Sequence, residues 1–463
     1  MTDWRITVQN PVRQIDGLDH ERCAALHNLI LEHGWQQSGR ELDDLDRRTW
    51  WDLHEASVDP AIINDDVISF LKVAQEGYAE ASPGHCFQRY LAGLSLPDQL
   101  HNNVMYGPDE DDSNKRRYIT LYMANPYLQS SHPLGVVYDQ ETHRAIQLVS
   151  LDDGMIAQNG RQQWLPLEEI LEAYLQMMDE KKVIAVDDDY EGDQDRAEPW
   201  LMPSYTETDL QEAFTAWNQL VEEVERRMGL EPLPSDAPRG LPAAGYLLDQ
   251  VPERSFLRRF VENARPPRFT FLAPGLRLAQ QQPFAEVPAE DDLNRPSLLL
   301  ESGEPAHRET DRAPWGQDLP APLFHPNFQR AVTRLPAGLY LTESNPSGAH
   351  PFEDGVKLLL PYSLGARGFA RRSDGSLLGE DLLHRGPTPR THVPRSAQLY
   401  QLGFNAYIEM HDVQLRRVLA RWVEMVREGK WEVDAEGVAG GIEKWRDADT
   451  EEGWRDYVLP RTW

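Results

Sequence analysis

Cysteine is scarce, with only Cys23 and Cys86 in 463 residues. That excludes a disulfide framework and a Cys-rich zinc site. Both fall in helical or near-helical segments and read as buried free thiols. No run approaches the roughly 18 apolar residues that a bilayer span needs. The N-terminal MTDWRITVQNPVRQIDG lacks an apolar core flanked by basic residues. Neither a membrane span nor a secretory signal is therefore expected, and the cytoplasm is the predicted compartment. Basic residues are in deficit, with 46 Lys+Arg against 76 Asp+Glu and a net charge of −30. Such a charge favours solubility, repels polyanions at long range and argues against a nucleic-acid-coating protein or an anionic-membrane binder, so DNA is not an expected partner. Local basic patches remain compatible with it, because screening confines most electrostatics to about 10 Å. Gly-x-Gly-x-x-Gly, phosphate-loop and Gly-x-Ser-x-Gly motifs are missing. No metal-ligand spacing stands out: His132 and His143 are separated, and His411-Asp412 and His350-Pro-Phe-Glu353-Asp354 read as isolated pairs. No metal and no cofactor are expected.

What is present is enough for a core. Hydrophobic residues make up 40%, and tryptophan, at 13 copies, is unusually frequent. Length favours two or three domains. Residues 1–105 read as a mainly helical region, with one helix from Asp19 to His33 stopped by Gly34 and another from about Ala61 to Tyr78. Region 106–230 opens with strands at Tyr118–Met123, Leu134–Tyr138 and Ala145–Val149, the last two spaced as a hairpin closed by Asp152-Asp153-Gly154. Pro166 then starts an amphipathic helix with Glu168, Glu169 and Glu172 off its apolar face. A second helix carries Leu210, Phe214, Trp217, Val221, Val224 and Met228, capped by Thr206 or Thr208 and ended by Gly229. Residues 231–245 read as a linker. Region 246–463 contains a Pro-rich, weakly patterned insert at 281–326, strands at Gly338–Thr342 and Val356–Leu360, and a helix through Leu415, Val418, Leu419, Trp422 and Val426.

Tyr122–Pro126 with His132-Pro133 echoes Tyr340–Pro346 with His350-Pro351, and Ile170–Asp187 echoes Val418–Asp434 in the same order. This admits two readings, duplicated halves or the chance likeness of helices of one type. The fold class expected is mixed α/β (α+β): a helical N-terminal part and strand clusters each followed by amphipathic helices, with a Rossmann-like α/β core as the alternative.

Two constellations could carry chemistry. Asp187-Asp188-Asp189-Tyr190-Glu191 directly follows the apolar Val183–Val186. A short apolar run ending in carboxylates can present Asp187, Asp188 and Glu191 to a ligand, holding a cation or gripping a guanidinium bidentately. It can equally be a solvated acidic loop. The second is an arginine and phenylalanine stretch through Arg254, Arg258, Arg259, Arg265, Arg268 and Arg277, with Phe256, Phe260, Phe269 and Phe271 between them. Arginines that take phosphates beside rings that stack on unpaired bases would suit an RNA end. The plainer alternative buries Phe256 and Phe260 and pairs the arginines with surface acids. A third basic stretch, Arg367, Arg371, Arg372, His384, Arg385, Arg390, His392 and Arg395, reads as a phosphate-contacting flap or as ordinary surface. Ser130, Ser131 and Ser344, beside Asn-Pro turns, are candidate nucleophiles without a visible base.

On Asp187, Asp188 and Glu191, which fit a DDxxE motif, the chain resembles the fungal arginine-containing cyclodipeptide synthases. The resemblance implies that two aminoacyl groups delivered by tRNA, one of them arginyl, are joined into a diketopiperazine. The carboxylates would hold the arginyl group or its amine, and Arg254, Arg258, Arg259, Arg265 and Arg268 would take the tRNA acceptor end. From Gly135 to Tyr174, with a strand pair, an Asp-Asp-Gly turn, Trp164-Leu-Pro-Leu and an acidic helix, the chain also resembles the SMI1/KNR4-type adaptor domains. That resemblance implies a non-catalytic interaction protein. An enzyme should gather its acids and arginines around one deep pocket, whereas an adaptor should spread them over an open surface.

Overall fold

The computed structural model describes residues 4–77, 85–102, 117–125, 134–149, 153, 154, 157, 164–187, 189, 190, 197–234, 237–242, 251–287, 294–308, 310–312, 318–320, 323–325, 328, 332, 334–345, 351–378, 396–403 and 411–460. The chain forms two compact units. The first is Met1–Pro203 with Leu382–Gly386 and Phe404–Ile408; the second is Ser204–Asp381 with Pro387–Gly403 and Glu409–Trp463. The boundary falls at 203/204, so the helix expected in the 106–230 region and the 231–245 segment both belong to the second unit.

In the first unit, Asp19 caps helix α1 (His20–Gln37) by accepting the Arg22 N–H. The helix runs past the expected stop at Gly34, because Gly34 and Trp35 are buried and Trp35 Nε1 donates to Glu41 O at 2.7 Å. The single helix expected over 61–78 is instead a 3-10 turn at Pro60–Ile62, α3 (Asp65–Leu71) and a strand, β2 (Gln75–Gly77). Ile63 in extended conformation and the helix end at Lys72 break it. β2 pairs with β1 (Asp46–Thr49), which leads into α2 (Trp50–His54). Strands β3 (Leu91–Leu94), β4 (Tyr118–Ala124), β5 (Gly135–Asp139) and β6 (Arg144–Leu148) form an antiparallel meander in that order. The expected hairpin is present, with Gly135 opposite Leu148 and Asp139 opposite Arg144. Helix α4 (Leu167–Asp179) and the two-residue strands β7 (Ile184–Ala185) and β8 (Trp200–Leu201) complete the unit.

Glu168 and Glu172, expected on the solvent side of α4, are buried. The Cys23 thiol donates to Glu168 Oε2 at 3.7 Å, and Arg5 Nε donates to both Glu172 oxygens at 2.9 and 3.0 Å. Partners from distant segments override the local amphipathic pattern, since a buried carboxylate is tolerated only when paired.

The second unit begins with α5 (Glu207–Arg227), opened by a reciprocal Thr206–Asp209 capping box. It continues with α6 (Phe256–Asn263) and β9 (Phe271–Ala273), β10 (Leu276–Leu278), β11 (Ser297–Pro305), β12 (Thr310–Arg312), β13 (Asp318–Pro320), β14 (Pro336–Leu341), β15 (Val356–Leu364) and β16 (Ser396–Gln398). Helix α7 (Leu415–Arg427), β17 (Val433–Asp434), β18 (Gly437–Val438) and α8 (Trp454–Tyr457) close the chain. Eight strands run β16-β15-β14-β11-β10-β9-β18-β17; their neighbours are antiparallel except β18 with β9. Antiparallel ladders in both units correct the Rossmann-like alternative, whose sheet is parallel. The fold is mixed α+β. The 281–326 insert is corrected too: it contains β11, an inner strand whose Leu298-Leu299-Leu300 is fully or nearly fully buried.

The echo between halves has a structural counterpart. Each unit orders a long first helix, a meander (β3-β4-β5-β6 or β11-β14-β15-β16), an amphipathic helix (α4 or α7) and a two-residue strand (β7 or β17). The second core gathers Trp422, Trp431 and Trp445 with ring centroids 5.2–5.9 Å apart. Their indole N–H groups donate to Tyr400 Oη, Tyr457 Oη and Pro274 O, so the aromatic burial leaves no donor stranded.

Candidate functional site

The first acid of the DDxxE motif stands beside a groove. Past α1, Gln36, Gly39, Arg40, Glu41, Leu42 and Asp43 line an open depression of about 520 Å³ in the first unit. Gly39 has φ +82°, a conformation that favours glycine, and a Cβ there would stand 2.4 Å from Asp187 Oδ2, so a larger residue would push the Asp187 side chain aside. Asp187 is exposed and its Oδ1 accepts the Asp189 N–H at 3.0 Å, a local turn that fixes the carboxylate. Asp188 and Glu191 lie outside the described residues. The groove carries the carboxylates of Glu41 and Asp43, with Asp187 against Gly39. Its cation, Arg40, lies 4.8 Å from the Trp35 ring centroid and 3.4 Å from His85 Nε2. This composition suits a lysine or arginine side chain entering from solvent. Sequence reasoning missed it; the signal was Gly39 followed by the acidic run Glu41–Asp44 behind a helix end.

The arginine stretch is placed in the second unit, on and after α6. Arg258 pairs with Glu262 at 2.9 Å, and Arg259 with Glu207 at 2.8 Å. Arg265 reaches Glu222 at 3.0 Å and shares Glu225 with Arg268, whose own contact is 2.8 Å. Arg277 pairs with Glu301 at 3.3 Å. Arg254 is exposed and makes no ion pair among the described residues. Phe256 and Phe260 are buried, stacked at 6.0 Å. This is close to the plainer alternative, with Phe256 and Phe260 inward and the arginines on the chain's own acids, although Glu225, shared by Arg265 and Arg268, is itself buried. In the third basic stretch, Arg371 donates to Gly368 O, and Arg372 to Gln401, Ser376 and Leu377 O. His384, Arg385, Arg390, His392 and Arg395 lie outside the described residues, as do His132, Ser130 and Ser131.

The two His/acid pairs that looked isolated meet in the second unit. His411 Nε2 lies 2.9 Å from Asp354 Oδ1, both side chains essentially sealed from solvent, and Phe352 stacks on the imidazole at 4.2 Å. His411 Nδ1 faces Asp412 O, so both ring nitrogens have oxygen partners. Beside them, Glu353 Oε2 accepts the Phe256 N–H at 2.7 Å, at the first turn of α6. Asn294 Nδ2 bridges Glu353 Oε1 (3.4 Å) and Ser344 Oγ (3.0 Å). Ser344 is 1% exposed. Burial, reinforced by Asp354, pushes the Glu353 carboxyl up to about 7, against the opposing bonds from Phe256 and Asn294. The network could move a proton near neutrality, but its serine and histidine are closed to solvent. No group of three metal-ligating side chains occurs among the described residues.

The raised Glu353 value sets a pH dependence. A carboxyl whose folded pKa exceeds its unfolded value favours the fold when protonated, and this contribution is lost as pH rises from about 4.5 through about 7. Relative to wild type, Glu353→Gln is therefore expected to gain stability over that window, by about 3 kcal/mol at most. Urea denaturation at acid and at mildly alkaline pH measures it, and an unchanged difference between the two would refute it.

No helix among the described residues is long and apolar enough to cross a membrane. No protein-family model, curated protein or solved structure matches the chain.

Proposed function

We propose that the chain is a non-catalytic, acidic interaction protein of the cytoplasm, whose first unit takes a basic segment of a partner polypeptide in the groove bounded by Gln36–Asp43 and Asp187. One observation carries this reading: the arginines expected to hold RNA phosphates are, Arg254 apart, neutralised by the chain's own carboxylates. What stays available at Gln36–Asp43 is an open depression dominated by acid. The Gly135–Tyr174 stretch, similar to SMI1/KNR4-type adaptor domains, forms a β5–β6 hairpin followed by α4, with the Ala145–Leu165 bridge closing the connection. The test is fluorescence anisotropy with an arginine-rich peptide. Wild type should bind with salt-sensitive affinity, and Glu41→Lys/Asp43→Lys should weaken it at least ~10-fold, since two reversed charges near a ligand cation exceed 1.4 kcal/mol. Equal affinity in the double variant would remove the groove from the account.

A second reading, the tRNA-dependent cyclodipeptide synthase, is favoured by Glu353, a carboxyl titrating near 7 and joined through Asn294 to Ser344. It requires tRNA to dock through Arg254, Arg258, Arg259, Arg265 and Arg268, and Asp187, Asp188 and Glu191 to hold the arginyl group.

A further inference from the structure

The first unit buries a guanidinium that no described residue neutralises. Gln88, Arg89 and Tyr90 form the turn entering β3, closed by paired backbone bonds between Gln88 and Leu91 at 3.0 Å. Gln88 Oε1 accepts the Tyr90 N–H at 2.8 Å. Asn125, at the end of β4, clamps the same turn: its backbone N–H donates to Tyr90 O at 2.8 Å, and its Nδ2 to Arg89 O at 3.2 Å and to Cys86 Sγ at 3.1 Å. The backbone of Arg89 is thus fixed, and its side chain is 3% exposed. Its Nε and Nη1 are buried without any acceptor. No carboxylate among the described residues pairs with it.

By contrast, buried Arg22 finds four backbone carbonyls, and Arg265 finds Glu222 and Glu225. An interior charge is tolerated when paired or ligated and is otherwise strongly unfavourable. Cys86 does not supply the missing anion, because burial pushes its thiol up to about 11 and keeps it protonated at neutral pH. Glu198, whose charge Cys86 also feels, is solvent-exposed.

We propose that Arg89 anchors a small-oxyanion site in the first unit, taking a carboxylate or a phosphate on the fork of its guanidinium. The fork matches both groups bidentately, which an ammonium does not. The fixed Gln88–Leu91 turn presets it, so little ordering is left for the anion to impose. The site is separate from the acidic groove and stands whether or not the groove binds a basic segment.

The full chain, purified in chloride, is melted with inorganic phosphate, with acetate and with sodium chloride at matched ionic strength. Wild type should show a saturable rise in Tm of at least ~2 °C with phosphate or acetate over chloride, by mass action on the folded state. A rise with acetate alone identifies the carboxylate, and one with phosphate alone the phosphate. Arg89→Met should fold, melt no lower than wild type in chloride, and lose the shift. Arg89→Lys, which keeps the charge without the fork, should keep a smaller one. No oxyanion-specific rise in wild type overturns the proposal, as does an undiminished rise in either variant.

Discussion

Asp449→Ala is expected to destabilise the second unit by about 4 kcal/mol. This carboxylate, 4% exposed, gathers four backbone donors: Gly365 and Arg367 onto Oδ2 at 3.0 and 2.9 Å, and Phe369 and Ala370 onto Oδ1 at 3.0 Å each. It holds the turn that leaves β15 and returns through Arg371. Hydrogen bonds to a charged group contribute about 1.5–3 kcal/mol each net, and buried donors left without an acceptor cost about 1–3. Relaxation of the loop and entering water reduce the sum, which is why the expectation lies well below four full contributions. Asp449→Asn should lose slightly less, about 3 kcal/mol, because one oxygen still accepts while the new amide faces N–H groups. Denaturant midpoints with an unchanged slope report this directly. A loss below about 1 kcal/mol would mean that the 365–370 turn holds its shape without Asp449.

Arg22→Met should cost the first unit about 3 kcal/mol and release its N-terminal arm. Arg22 Nε donates to Trp4 O at 2.9 Å, Nη1 to Pro11 O at 2.8 Å, and Nη2 to Arg5 O and Asn10 O at 3.0 and 2.8 Å. One buried side chain thereby satisfies four carbonyls of an arm without regular secondary structure. The arm in turn satisfies α4: Arg5 and the Ile6 N–H both serve buried Glu172. Freeing the arm strips that carboxylate of its partners, so two losses are coupled. Trypsin should cut at Arg13 much faster in the variant than in wild type. Unchanged cleavage together with an unchanged Tm would show that the arm is held by other contacts.

Much of the scaffold was legible because its signals are local. The hairpin through Gly135 and Leu148, the Thr206-capped helix and the helix from Leu415 each follow from periodicity or capping within a short window. The misread parts depend on partners far away in sequence. Glu168 and Glu172 look like solvent-facing helix residues until Cys23 and Arg5 arrive from the N-terminal segment. Leu298–Leu300 looked like part of a coil because prolines flank it, yet it forms an inner strand.

The candidate sites show the same division. Arg258–Glu262 is an i,i+4 pair readable from sequence, whereas Arg265 and Arg268 on Glu225 require α5 to lie alongside. His411 and Asp354 are 57 residues apart, and no spacing rule joins them. Gly39 against Asp187 is likewise a product of folding, found only when the two segments meet.

The central proposal is that Arg258, Arg259, Arg265, Arg268 and Arg277 are already paired with the chain's own acids, leaving a groove at Gln36–Asp43 that attracts cations rather than RNA. The most direct measurement is the affinity of the full chain for unmodified transfer RNA and for an arginine-rich peptide, side by side across a range of salt. The account predicts saturable, salt-weakened binding of the peptide and no saturable binding of the tRNA. Saturable tRNA binding that Arg258→Ala/Arg259→Ala abolishes would contradict it and turn attention to Glu353 and Ser344 as parts of an aminoacyl-transfer site.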